Sequence, residues 1–175
     1  MTGMRFSVYV TLPKPGKSWG TWMNRAQPSI AHATIEHADI VAGLLCDLLT
    51  ELANGDGPTF SDLQKTTEQL LGEGLVFGLI AMNEDDPVGL LMLNECAAIY
   101  AGGRFGEITE LYVTPEQRSC GVASALLTEA KEFARERGWV RLEVGAPDQP
   151  AWSRTLSFYL REGFEEVGPR LRIKL

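Results

Sequence analysis

Residues 107–144, "EITELYVTPEQRSCGVASALLTEAKEFARERGWVRLEV", constrain the fold more than any other stretch of this chain. The first part, with "FG" before it, reads as a strand. A short polar loop leads to a helix from Gly121 to Arg137, where Val122, Ala125, Leu126, Ala130, Phe133 and Ala134 line one face. Gly138 ends that helix. "WVRLEVGA" then alternates Val140, Leu142 and Val144 with Arg141 and Glu143, the pattern of a second strand. A strand–helix–strand unit commits the chain to a mixed α/β domain.

The flanks agree. "IAHATI" reads as a short strand, and Ile40, Val41, Leu44, Leu45, Leu48, Leu49 and Leu52 recur at helical spacing until "NGDGP" interrupts them. A second helix is expected from Ser61, with Gln64 closing a capping box, to Gly72–Gly74. "LVFGLIAM" and "VGLLMLNECAAIY" read as strands around the hairpin "NEDDP". "PAWSRTLSFYLREGF" reads as a last helix stopped by Gly163, and "RLRIKL" as a last strand. Residues 1–28, rich in Pro, Gly and Trp, form an N-terminal extension in which "RFSVYVTL" can pair as an edge strand; the domain proper spans 29–175.

At 175 residues this is one domain, of a size that buries roughly 70% of its unfolded surface. A net charge of -7 argues against nucleic acid or an anionic membrane as partner. Acidity suits a cationic amine substrate, and it also simply promotes solubility. Cys46, Cys96 and Cys120 are too scattered for a disulfide framework. His32 and His37, five apart, do not share a helical face, so no metal site is expected. Neither a signal peptide nor a membrane span is legible, and the expectation is a cytoplasmic protein with reduced thiols.

The loop "QRSCGVAS" has the makings of an anion site. The first N–H groups of a helix lack partners within it and carry partial positive charge. Small residues let oxygens approach the backbone, and Arg118 adds a fixed cation. A P-loop and a dinucleotide fingerprint are both excluded on glycine spacing. An ordinary strand-to-helix turn with a surface arginine is the alternative.

The wider context resembles the acetyl-CoA-binding motif of the GCN5-related N-acetyltransferase (GNAT) superfamily, Q/R-x-x-G-x-G/A after a strand ending V-x-P. Arg118, Gly121 and Ala123 fill its defining places, and Phe158, Tyr159, Gly163 and Phe164 fill the family's later F-Y-x-x-x-G-F motif. The resemblance implies an α/β GNAT fold, a mixed sheet of about six to seven strands flanked by about four helices. It implies acetyl-CoA as co-substrate, transfer of acetyl to a primary amine of a small molecule by direct attack, and no metal. A homodimer is a further implication, paired through the C-terminal strand or the N-terminal extension. A silent acetyl-CoA-binding module, a protein lysine or N-terminal acetyltransferase, another acyl-CoA and an oxygen acceptor are the alternatives.

Carried over residue by residue, the pantetheine arm would pair with the backbone of Leu111, Tyr112 and Val113 between two splayed parallel strands. The N–H near Leu111 would face the thioester oxygen. The diphosphate would lie over Arg118, Ser119, Cys120, Gly121, Val122, Ala123 and Ser124, aided by the Ser119 and Ser124 hydroxyls. Tyr159 matches the family's acid near the thioester sulfur. Glu107 occupies the place of the family's general base, with Glu110 as runner-up on the opposite face of the strand, because side chains alternate. Ser119, Cys120 and Trp152 depart from the family's usual glycine, basic residue and asparagine. Trp152 stands at a cofactor-binding place all the same.

Overall fold

Five strands form one sheet in the order β1–β2–β3–β4–β5 in the computed structural model, which describes residues 27–53, 57–145 and 153–168. β1 (Ser29–His32), β2 (Val76–Asn83), β3 (Asp86–Ala98) and β4 (Gly103–Val113) pair antiparallel with their neighbours. β5 (Leu142–Val144) adds to β4 in parallel. A parallel neighbour needs a crossover, and α3 (Val122–Glu136) supplies it. α1 (Ala38–Ala53) and α2 (Phe60–Gly72) connect β1 to β2, and α4 (Ser153–Arg161) follows β5.

The architecture is α/β, as the sequence indicates, but the described residues hold five strands and four helices rather than six to seven strands. "RFSVYVTL" and "RLRIKL", the two further strand expectations, lie outside the described residues, as do most of residues 1–28.

Strand alternation divides the core in two. On one face Leu91 and Leu93 of β3, with Ile108, Leu111 and Val113 of β4, pack on Leu126, Leu127 and Ala130 of α3 and on Phe158 and Tyr159 of α4. On the other, Leu90, Met92 and Tyr112 pack against Val41, Leu44 and Leu48 of α1. The apolar stripe read from Ile40 to Leu52 is thus the seat of α1 on the sheet.

β4 is not regular. Leu93 lies opposite Ile108 and Met92 opposite Glu110, leaving Thr109 as one extra residue. Such a bulge shifts the alternation beyond it by one. Ile108 and Leu111, three apart, therefore both enter the α3 core, and Glu107, Glu110 and Tyr112 all turn to the α1 side. The expectation that Glu107 and Glu110 occupy opposite faces is corrected: simple alternation fails where the strand carries an extra residue.

Helix starts differ slightly from expectation. α2 begins at Phe60, not Ser61, because Thr59 is its N-cap. Asp62, not Gln64, completes the box: its N–H donates to Thr59 Oγ1 at 3.2 Å and its carboxylate accepts from the Thr59 N–H at 3.3 Å. A cap of this kind is worth about 1 kcal/mol. Near β5, Gly106 lies under the Trp139 indole and Leu142, leaving no room for a Cβ. Glu95 fixes that indole by accepting from Trp139 Nε1 at 2.6 Å.

Candidate active site

Backbone hydrogen bonds show which way β4 faces. The Gly106 N–H donates to the Arg141 carbonyl and the Val140 N–H to the Arg104 carbonyl, both at 3.0 Å, so residues 104 and 106 address β5. Beyond the bulge the parity changes: the Thr114 N–H donates to the Val88 carbonyl at 3.0 Å, toward β3. Leu111 and Val113, one residue out of step with Thr114, direct their N–H groups to the β5 side. β5 pairs only with Gly106–Ile108. Among the described residues, β4 thus presents an edge at Leu111 and Val113 with no strand partner.

The edge leads into the loop before α3. A single turn of 3-10 helix, Pro115–Gln117, is followed by two left-handed residues, Ser119 (φ 63°) and Gly121 (φ 86°). The first bond of α3 runs from the Ala125 N–H to the Gly121 carbonyl at 2.9 Å. The amides of Val122, Ala123 and Ser124 consequently have no partner within the helix. They open onto a cleft of about 480 Å³ between α3 and α4. Gly121, Val122, Ala123 and Ser124 form one wall, with Arg118, Ser119 and Val113 beside them. Ser153, Arg154, Ser157 and Arg161 of α4 form the facing wall.

Two side chains expected to serve the phosphate, Arg118 and Ser124, are otherwise engaged. The Arg118 guanidinium donates to Glu51 Oε1 at 2.5 Å and to the Val113 carbonyl at 2.9 Å. The Ser124 hydroxyl donates to Glu162 Oε1 at 2.7 Å, beside the Lys131 ammonium. Cys120 does not line the cleft; its thiol turns to the Arg118 carbonyl at 3.6 Å. The loop is left with its main-chain amides, because close acidic and carbonyl acceptors take the donors of Arg118 and Ser124. Tyr112 contributes backbone only, since its phenol points to α1 and donates to Glu51 Oε1 at 3.2 Å. Trp152 lies outside the described residues.

Tyr159 is buried among Phe158, Phe164 and the core, and its hydroxyl has no hydrogen-bond partner among the described residues. Burial raises its pKa far above the ordinary tyrosine value. An orphaned buried hydroxyl is rare, and this one belongs to the helix that walls the cleft. On the α1 face, burial and, to a lesser extent, the neighbouring Glu107 raise the Glu110 carboxyl, against a hydrogen bond from Thr109. Glu107 lies within reach of the Cys96 thiol at 3.7 Å.

Residues not singled out from the sequence also gather here. Arg154, Ser157 and Arg161 recur at i, i+3 and i+7, so a helical-wheel reading of "SRTLSFYLR" finds them on one face. Glu143 stands opposite Glu107 across the parallel pair and is held by Arg141 at 2.7 Å. The reach of Glu51 from α1 to Arg118 left no sequence signal, since 67 residues separate the two.

Comparison with known proteins gives this geometry a context. The profile of the acetyltransferase (GNAT) family matches residues 45–164. The chain is 33% identical over 138 residues to the aminoalkylphosphonate N-acetyltransferase of Salmonella typhimurium, covering 78% of this chain and 84% of the relative. It is 29% identical over 122 residues to the thialysine N-epsilon-acetyltransferase of Caenorhabditis elegans, covering 68% and 72% respectively. A protein of Clostridium acetobutylicum, described as a predicted acetyltransferase and solved with acetyl-CoA, shares the fold with a TM-score of 0.68 at 18% identity, covering 83% of this chain and 95% of that one. With an open strand edge, a glycine-led helix start and a family match over most of its length, this chain belongs to the GNAT family of N-acetyltransferases and is an acyltransferase.

Proposed function

We propose that the protein moves an acetyl group from acetyl-CoA to a primary amine of a small molecule by direct attack in a ternary complex. The observation that carries the reading is the continuity of the β4 edge at Leu111 and Val113, which has no strand partner among the described residues, with the amides of Val122–Ser124, which have no partner within α3. An extended pantetheine chain needs amide partners along a strand edge, and a diphosphate needs clustered N–H donors. The two arms of coenzyme A match the two parts in order.

The residues then have distinct tasks. Amides of Val122, Ala123 and Ser124 hold the diphosphate, with Arg154 and Arg161 supplying charge from the facing wall. The Leu111 N–H donates to the acyl oxygen, where negative charge grows during attack. Tyr159 keeps its proton throughout the neutral range because burial raises its pKa, and it gives that proton to the departing sulfur. Acetyl-CoA, when bound, supplies the activated thioester.

Proton removal from the incoming ammonium falls to the carboxylates on the α1 face. Glu107 sits where β5 still covers the edge. Glu110 lies beyond β5 and beside Leu111, and burial brings its pKa closer to the working pH, as an efficient base requires. We therefore assign the base to Glu110 and give Glu107 the supporting charge, directly or through water. The acids of this face, with Asp47 on α1, suit a cationic acceptor. The Salmonella relative, whose name specifies an aminoalkylphosphonate, supports an acceptor of small size.

Thiol release from acetyl-CoA, followed across aminoalkylphosphonates, polyamines, amino acids including thialysine, aminoglycosides and lysine peptides, tests the reading. Saturable release with a small amine is expected. Binding of acetyl-CoA without release for any acceptor would establish a silent binding module, and preference for peptides would establish a protein acetyltransferase.

A further inference from the structure

The Arg118 side chain departs from what its place in the loop suggested, and the departure has a built geometry. Its side chain is 9% exposed and lies 5.7 Å from the Tyr112 ring centroid. One terminal nitrogen donates to Glu51 Oε1, and Nε donates to the Val113 carbonyl. Tyr112 Oη donates to the same Glu51 oxygen. Three segments meet there: the last turns of α1, the end of β4, and the loop that opens α3.

We propose that Glu51 and Arg118 form a positioning pair that fixes the phosphate loop against the β4 edge and α1, and that Arg118 does not itself bind phosphate through its side chain. The proposal rests on the acetyl-CoA reading above. A planar guanidinium that spends Nε on a strand carbonyl and a terminal nitrogen on a carboxylate is held in one orientation. With its charge met by Glu51, it adds little net attraction for an anion. What it adds is placement: the loop amides cannot turn away from the cleft without stranding a largely buried ion, which is strongly unfavourable. The pair also ties the helix on the acceptor side to the cofactor loop.

Two roles for Arg118 predict opposite signs at Glu51. If the guanidinium bound the diphosphate, removing Glu51 would free a cation and delete a nearby negative charge, and coenzyme A would bind more tightly. If the pair positions the loop, removing Glu51 weakens binding despite the favourable change in charge.

The test is calorimetric titration of coenzyme A into the wild-type chain and into Glu51→Gln, Glu51→Ala, Arg118→Gln and Arg118→Lys, with steady-state kinetics on each. Both Glu51 variants and both Arg118 variants should bind more weakly. The loss should be about tenfold for Glu51→Ala and Arg118→Gln, the equivalent of roughly 1.4 kcal/mol. Glu51→Gln should lose less, because its amide oxygen still accepts from Arg118. Lysine should not rescue Arg118, because it has no Nε to reach Val113. KM for acetyl-CoA should rise more than kcat falls, a split that general destabilisation does not produce. Should Glu51→Ala fail to fold, the glutamine variant decides by the direction of its shift. Unchanged or tighter binding in the Glu51 variants, or full rescue by lysine, would overturn the pair. Absence of coenzyme A binding by the wild-type chain would instead remove the acetyl-CoA reading, and this proposal with it.

Discussion

Glu107 and Glu110 leave β4 on the same face, three residues apart, because Thr109 is inserted opposite the Met92–Leu93 junction of β3. Burial and, to a lesser extent, the charge of Glu107 raise the Glu110 pKa. The folded state therefore binds the Glu110 proton more tightly than the unfolded chain does. The stability this gives is fully present below the ordinary glutamate value of about 4.3 and is lost as pH rises toward the elevated folded value. Glu110→Gln should flatten that part of the Tm-against-pH curve and raise Tm at neutral pH. As the assigned base, it should also lower kcat by about 10²–10⁴-fold. A variant with wild-type turnover would move the base to Glu107 or to water.

Tyr159→Phe separates chemistry from folding. The lost hydroxyl has no partner among the described residues, so Tm should hold or increase; an unsatisfied buried group costs about 1–3 kcal/mol. Turnover should nonetheless fall by about 10²–10⁴-fold with coenzyme A affinity near wild type. Wild-type rates in the phenylalanine variant would take Tyr159 out of the mechanism.

Ser119 holds a left-handed backbone, φ 63°, that glycine adopts without penalty. The conformation costs a residue with a Cβ about 1–2 kcal/mol, and glycine gives back about 0.5–1 kcal/mol through the unfolded chain. Ser119→Gly should therefore stabilise the protein by roughly 0.5–1 kcal/mol in urea denaturation. A destabilised variant would show that the serine hydroxyl has a role in the fold.

Arg154 and Arg161 face the loop across the cleft. Arg154→Ala and Arg161→Ala should each weaken coenzyme A binding about three- to tenfold, the range of one charge-assisted hydrogen bond partly exposed to water. The salt dependence of binding should shrink as well. Identical affinity and salt slope in both variants would place the phosphates elsewhere.

Gly106→Ala tests the packing that sets β5. A methyl group there meets Trp139, whose indole is fixed by Glu95, and Leu142. Overpacking of this kind costs about 1–3 kcal/mol. Chemical denaturation should register it, with weaker coenzyme A binding as β5 shifts. An unchanged midpoint would show that the indole moves freely.

Periodic features were legible in the sequence. The α1 stripe, the α3 face, the β2–β3 hairpin and the glycine stops at Gly138 and Gly163 follow from local rules, and the loop before α3 declared itself through its small residues. Features that depend on register or on distant contacts were not legible. Thr109 looks like any strand residue, and only pairing with β3 reveals it as extra. Arg118 and Ser124 carry donors suited to phosphate, but acceptors far along the chain, Glu51 and Glu162, engage them first. Local pattern reading also chose Gln64 for the α2 cap by counting from Ser61, whereas Asp62 stands at the third position after the N-cap Thr59.

The sheet is a partition. One side carries the α3–α4 core, and the other carries the α1 core. A protein partitioned this way can change its diet without rebuilding its engine: exchanging the segment from Ile35 to Leu75 for that of a cousin with other tastes leaves the α3–α4 packing whole. The graft must bring a carboxylate to the position of Glu51, which runs like a stitch from the exchanged cloth to Arg118 in the loop before α3.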